Sequence, residues 1–324
     1  MGTKNKKSVA RSASNVAVDA DEKRPIGWTP PDLRGRVAVV AGASRGAGRG
    51  IALALGECGA TVYVTARTVR GGPAPVDGAP GTIEETADEV NARGGRGIPV
   101  AVDFTREEDV AALFERVERE AGRLDILANS VFGWSPESFE AFLHPERKRK
   151  MFWEQSSTSW KESVEGGPFA HLLGAVHGAR LMAKRGGGLI VSITEPILGF
   201  GPKTLDWALI ELGHHGINEM AAAMKSDLKK IGVTIVALAP GFMRTERVLM
   251  HMAGTSEKHK KAFGFHLSET TEYTGRAIAM MAADKKVARH SGKLTYVGDL
   301  AKSYRFRDAD GNFVENFYRK LKKI

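Results

Sequence analysis

Seven short apolar runs punctuate the chain: Val37–Val40, Thr61–Thr65, Ile98–Val102, Leu124–Ala128, Leu189–Ile193, Val233–Leu238 and Leu294–Val297. They are near-continuous rather than alternating, which is the pattern of strands buried on both faces. Helical stretches lie between them. Two of these open on a capping-box pattern, Thr82 with Glu85 and Thr105 with Glu108. Strands alternating with helices predict a single α/β domain built on a doubly wound parallel sheet of about seven strands, covered on both sides by helices.

Where the pattern fails, it marks boundaries. Residues 1–33 are polar, mixed in charge and close on Trp28-Thr29-Pro30-Pro31, so a flexible arm is expected there. The domain is expected over residues 34–312, and residues 313–324 read as a basic tail. A Gly/Pro loop at 70–81 follows the second strand, and a long insertion at 133–168 follows the fourth. Insertions after strand C-termini face the ligand crevice of such a sheet. Trp134, Trp153 and Trp160 in the insertion either line a substrate pocket there or form a helical flap with its own small core. The run Arg147-Lys148-Arg149-Lys150 reads as a solvated loop.

Composition narrows the function classes. Apolar residues make up 42% of the 324 and charged residues 26%, an ordinary globular balance. The single cysteine, Cys58, excludes an internal disulfide framework and a multi-cysteine zinc site. No apolar run is long enough to span a bilayer, and no apolar signal region follows the first lysines, so no membrane association and a cytoplasmic location are expected. The net charge of +9 is concentrated at the ends: residues 1–24 carry +3 and residues 301–324 carry +4, which leaves the body nearly neutral. A nucleic-acid-binding face is therefore not expected, and a small-molecule substrate is.

The first strand runs into Ala41-Gly42-Ala43-Ser44-Arg45-Gly46-Ala47-Gly48-Arg49-Gly50, and an apolar helix follows. Glycines at 42, 46 and 48 would let the backbone approach a pyrophosphate, with the helix N-terminus aimed at the anion. The second strand ends in Ala66-Arg67-Thr68, where an NAD site would carry an acidic residue. Arg67 together with Arg45 suits a ribose 2′-phosphate, so NADP(H) is the expected cofactor. Asp103, ending the third strand, either accepts from the adenine amine or caps the next helix beside Thr105.

These features resemble the short-chain dehydrogenase/reductase family over about residues 34–312. The glycine loop resembles that family's TGxxxGxG pattern with Ala41 in the first position, Asp103 matches the acidic residue after the third strand, and Leu127-Ala128-Asn129-Ser130 resembles the NNAG strand end. Pro240-Gly241-Phe242-Met243-Arg244-Thr245 resembles the segment that covers the nicotinamide. Gly81–Ala87 and Gly298–Tyr304 resemble a subgroup related to the DHRS1-like reductases of mammals. The resemblance implies a Rossmann-type fold and a homodimer or homotetramer. It also implies cofactor contacts from Gly42, Ser44, Arg45, Gly46, Gly48, Arg67, Asp103, Phe104, Asn129, His214, Pro240, Gly241, Met243 and Thr245.

The family's chemistry uses a Tyr-x-x-x-Lys pair on the helix between the fifth and sixth strands. No tyrosine lies there; the five are Tyr63, Tyr273, Tyr296, Tyr304 and Tyr318. Counting back from Pro240 puts the lysine position at His214, the tyrosine position at Ile210 and the serine position at Glu195, with the helix asparagine near Gly167. A register slip of three would substitute Trp207 and Glu211 for the pair. Glu195 and His214 are the candidate acid–base residues, and His214 is also placed to hold the ribose. The expectation is an NADP(H)-dependent oxidoreductase acting on a carbonyl or alcohol through an atypical site. An inactive NADP(H)-binding homologue and a non-redox isomerase, dehydratase or lyase stand as alternatives. No metal site is expected. The apolar stripe Ile217, Met220, Ala221 and Met224 is either core or a subunit interface.

Overall fold

The computed structural model describes residues 26–73, 75, 78–133, 151–154, 156–196, 205–262 and 264–321. Trp134 and the basic run 147–150 lie outside these residues, as do the side chains of Asp206 and Trp207. All seven expected strands form: β1 Val37–Ala41, β2 Thr61–Ala66, β3 Arg96–Ala101, β4 Ile126–Asn129, β5 Gly188–Ile193, β6 Val233–Ala239 and β7 Leu294–Tyr296. They pair in parallel in the order β3-β2-β1-β4-β5-β6-β7. The order reverses between β1 and β4, and that reversal opens the crevice at their C-terminal ends.

Side-chain alternation splits the core between the two faces. Ala38 and Val40 of β1 pack with Ile51, Leu53 and Leu55 on one side, whereas Val37, Val39 and Ala41 pack with Leu113, Phe114 and Leu181 on the other. Helices α1 Gly46–Glu57, α2 Ile83–Ala92 and α9 Thr271–Ala283 belong to the first layer. Helices α3 Glu107–Ala121, α5 Ala170–Ala183 and α6 Leu205–Lys230 form the second. Between β4 and α5 lie the short helix α4 Ser157–Trp160 and a wide-turn stretch, Lys161–Phe169, interrupted at Gly167 just before Pro168. Helices α7 Glu246–Met252 and α8 Glu257–Ala262 follow β6, and α10 Val297–Tyr304 and α11 Phe317–Leu321 close the chain. In the α6 stripe, Ile217 and Ala221 are buried core, and Met224 packs against the same cluster from a partly exposed position.

The Thr82 capping box forms as expected, with both reciprocal bonds present. The one at Thr105 does not. Helix α3 starts at Glu107; the Thr105 hydroxyl donates instead to Asp103 Oδ1 at 2.7 Å, and Glu108 accepts from Arg106 Nε at 2.8 Å. Asp103 ties Thr105 into a turn ahead of the helix, whose N-cap is Arg106 with no side-chain cap bond.

Packed chain extends beyond both expected boundaries. Leu33 is buried, the Arg276 guanidinium lies 4.6 Å over the Trp28 ring, and Gly27 N donates to Arg305 O at 3.1 Å. Asn316 and Tyr318 are buried at the other end.

Helices α1 and α9 meet backbone to backbone. A Cβ on Gly50 would stand 2.3 Å from the Thr271 carbonyl carbon, and one on Gly275 would stand 2.6 Å from Gly50 O. Gly50→Ala should therefore force the helices apart and destabilise the fold by about 1–3 kcal/mol. Thermal melting checks this: a melting temperature within one degree of the unsubstituted protein would refute the contact.

Candidate functional site

The glycine loop folds back at Gly42 (φ 73°) and Gly46 (φ 59°), a region open to glycine without strain. A Cβ at 42 would meet Ser130 O at 2.7 Å, and one at 48 would meet Gly42 O at 2.1 Å. Those two glycines let β1, the end of β4 and α1 converge. Gly46 differs: the nearest atom to its absent Cβ is Thr245 Cγ2 at 3.8 Å. Its N–H, the first of α1, donates to the Glu246 carboxylate Oε2 at 2.7 Å. A carboxylate oxygen already occupies the place where a helix N-terminus receives a phosphate oxygen. The residues fit a nucleotide pyrophosphate, and Glu246 must turn aside to admit one.

Arg45 staples the two loops that border this position. Its Nη2 donates to Thr68 Oγ1 at 3.1 Å and to Gly81 O at 3.0 Å, and its Nε donates to Pro80 O at 3.2 Å. A Cβ on Gly81 would fall 2.3 Å from Ser44 O, so the 79–81 turn rests on the glycine loop. Arg67 projects outward with its side chain 76% exposed and only a 3.8 Å approach to Asp103. Arg247 adds a third guanidinium: burial lowers its pKa, and the charge of Arg45 lowers it further. Asp103 accepts from both the backbone N and the hydroxyl of Thr105, so it has the turn-forming role. Phe104 is 3% exposed and packs in the core, which leaves only its backbone for a ligand.

At the other half of the crevice, Asn129 ends β4 with its Nδ2 donating to His171 O at 3.3 Å and its Oδ1 enclosed without a partner. His171 bonds through Nε2 to Val131 O at 2.9 Å. Burial lowers its pKa to about 4, although that hydrogen bond favours the charged form. His214 stacks flat on Phe132, with ring centroids 4.1 Å apart. Burial, and secondarily the charge of His171, lowers the His214 pKa to about 3. Its ring is neutral at pH 7, and its enclosed Nε2 has no partner among the described residues. The Thr194 hydroxyl lies 3.2 Å from His214 O and 3.4 Å from His214 Nδ1.

Glu195 follows Thr194 just past the end of β5. The side-chain amide of Asn218 donates to Glu195 O at 3.0 Å. Among the described residues the Glu195 carboxyl has no hydrogen-bond partner, and burial raises its pKa to about 7. The expected pair therefore does not hydrogen-bond to itself: His214 meets Thr194 and Glu195 stands apart. Ile210 is 3% exposed and apolar, and nothing at that position supplies a hydroxyl.

The segment after β6 is clamped from both sides. A Cβ on Gly241 would lie 2.7 Å from Glu269 Oε2 and 3.0 Å from Phe317 Cβ. Glu269 N donates to Phe242 O at 2.9 Å, and Arg244 N donates to Glu269 O at 2.8 Å. Burial raises the Glu269 pKa to about 8, opposed by a hydrogen bond from the Gly241 backbone; its Oε1 has no partner. Met243 receives a weak contact from Thr274 Oγ1 at 3.8 Å, and Thr245 caps α7 by accepting from Val248 N at 3.3 Å.

Glu246, Arg247, Glu269 and Tyr318 were not singled out by the sequence as site residues. Thr245-Glu246 reads as an ordinary helix start. The other three had no local signal, because their places depend on elements distant in the chain.

The sequence profile of the short chain dehydrogenase family matches residues 36–253. The chain is 35% identical over 292 residues to mouse dehydrogenase/reductase SDR family member 1, covering 88% of this chain and 87% of the relative. The human protein of that name gives 35% over 296 residues with the same coverage. A short chain dehydrogenase from Mycobacterium thermoresistibile superposes with a TM-score of 0.67 at 21% identity, covering 84% of this chain and 88% of that one. An NADPH-dependent reductase involved in bacilysin biosynthesis gives 0.63 at 21%, covering 81% and 96%. Among the described residues, no helix is long and apolar enough to cross a membrane.

The Glu195 carboxyl holds its proton more tightly folded than unfolded, so it withdraws stability as pH rises from 4.5 to about 7. Glu195→Gln removes that loss. Its melting temperature relative to the unsubstituted protein should rise between pH 5 and pH 8; a constant gap would show that the carboxyl is not desolvated.

Proposed function

The chain belongs to the short-chain dehydrogenase family, and on that premise we propose that it is an NADP(H)-dependent oxidoreductase of a carbonyl or alcohol substrate. The observation that carries this reading is the Glu195 carboxyl. Among the described residues it has no hydrogen-bond partner; it lies two residues past β5, where the resemblance puts the family's serine, and its pKa is raised to about 7. A reduced nicotinamide, when bound, supplies the hydride. The chain must then bind, orient and provide a proton. A carboxyl poised near neutral pH is suited to hold that proton. The orphaned Nε2 of His214 is suited to a ribose hydroxyl, in the role the family gives a lysine, though as a neutral ring.

Cofactor choice follows from charge. No carboxylate stands at the end of β2 to accept from a ribose 2′-hydroxyl, and the exposed Arg67 beside Arg45 favours a 2′-phosphate. Glu246 competes for the same N-terminus of α1. A homodimer or homotetramer in the cytoplasm accords with the family and with the exposed Leu212 on α6.

Calorimetric titration with NADPH and NADH tests the cofactor. NADPH should bind far more tightly, and Arg67→Ala should weaken NADPH alone by about 10- to 100-fold, the loss of one charged hydrogen bond. Glu246→Gln should tighten it. Equal affinity for the two cofactors would defeat the reading. In turnover, substrate-dependent NADPH oxidation should fall in Glu195→Gln. Tight NADPH binding without oxidation on a broad carbonyl panel would indicate a binding protein, and product without an absorbance change would indicate non-redox chemistry.

A further inference from the structure

Strands β5, β6 and β7 are neighbours, and their C-terminal ends lie side by side. Thr194 N donates to Leu238 O at 3.0 Å, and Ala239 pairs with Tyr296. Glu195 and Tyr296 are thus two strand spacings apart, roughly 10 Å. Helix α11 seats itself over this gap. Phe317 packs on Gly241 and faces the Phe242 ring at 6.3 Å, and the Tyr318 ring lies 5.7 Å from that of Tyr296. Behind it, Asn316 Nδ2 and Arg319 Nη2 both donate to Asp299 Oδ2 at 3.0 Å, which fixes the helix to α10.

Tyr318 is only 9% exposed, yet its hydroxyl has no hydrogen-bond partner among the described residues and is not one of the enclosed orphan atoms. The other buried tyrosines are used: the hydroxyls of Tyr63, Tyr273 and Tyr304 donate to Glu120 Oε2 at 3.1 Å, Val314 O at 3.0 Å and Asp284 Oδ2 at 2.6 Å. Burial, then the charges of Glu195 and Glu269, then Tyr296, push the Tyr318 phenol well above its usual range. It is therefore protonated at pH 7, which makes it a donor rather than a base.

We propose that Tyr318, delivered by the C-terminal helix across the ends of β6 and β7, is the catalytic hydroxyl that donates a proton to the substrate carbonyl oxygen beside Glu195, in place of the tyrosine that α6 lacks. This rests on the oxidoreductase reading above. A reduced nicotinamide, when bound, would supply the hydride; as the carbonyl carbon received it, the C=O π pair would move to oxygen. The Tyr318 O–H bond breaks as the substrate O–H bond forms. The Glu195 carboxyl then returns a proton to the phenolate through an intervening water, and bulk water reprotonates Glu195.

Two measurements on the full chain test this. In the first, Tyr318→Phe keeps the ring against Tyr296, and an unchanged melting temperature and calorimetric NADPH affinity establish that fold and cofactor site are intact. Its kcat for NADPH-dependent carbonyl reduction should then fall by about 100-fold or more, the usual range for a lost general acid. Full kcat in Tyr318→Phe overturns this proposal and leaves the oxidoreductase reading standing. An unsubstituted protein inert with NADPH on the whole panel overturns both. The second needs neither cofactor nor substrate. With tyrosines carrying 13C at Cζ, the Tyr318 resonance should shift as the neighbouring carboxyls titrate, near pH 7 for Glu195 and pH 8 for Glu269. The first component should vanish in Glu195→Gln and the second in Glu269→Gln. A Tyr318 resonance that does not move between pH 6 and 8 overturns the proposal.

Discussion

Helix α1 aims its amides at the crevice because backbone touches backbone on both of its sides. Gly48 lies against the Gly42 carbonyl, and Gly50 lies against Thr271 and Gly275 of α9. With no side chain at these positions, the helix sinks onto β1 and is held from behind. Its first N–H then points out of the turn, at Gly46. The adjoining parts take their places from that approach. The end of β4 abuts Gly42, the 79–81 turn rests on Ser44, and Arg45 ties that turn to Thr68. The anion site is a consequence of close packing, and the Glu246 carboxylate found there reports its polarity.

The second half of the crevice is organised by desolvation. His171 and His214 are enclosed and therefore neutral, whereas Glu269, which is enclosed, and Glu195, which is half-buried, hold protons to about pH 8 and 7. Each displaced titration withdraws some folding stability in part of the pH range. Orphaned atoms on His214, Asn129 and Glu269 add to that cost. Such a concentration of unmet polar groups beside one set of strand ends is how a ligand site differs from a core.

Much of this was legible in the sequence. The seven strands are local events, each a run of apolar residues of the right length, and the glycine loop is a local pattern with a local geometry. The Thr82 capping box formed because nothing nearby competed for its hydroxyl. The Thr105 box did not form because Asp103 holds Thr105 in a turn and the helix starts after Arg106. Phe104 sat beside a crevice residue in sequence yet turned into the core, because the chain turns at 104–105. The histidine expected to pair with Glu195 meets Thr194 instead.

The sequence by itself determined a doubly wound sheet, a nucleotide loop without an acidic residue at the end of β2, and the absence of tyrosine from α6. These are statements about composition and period within short windows, where local sterics and hydrophobic pattern suffice. Tertiary structure decided which distant side chains share the crevice: Glu246 on the first amide of α1, Glu269 and Phe317 around Gly241, and Tyr318 beside the end of β7. No periodicity encodes those meetings. They arise because the last helix docks on the strand ends, and a docking surface exists only after the sheet has formed.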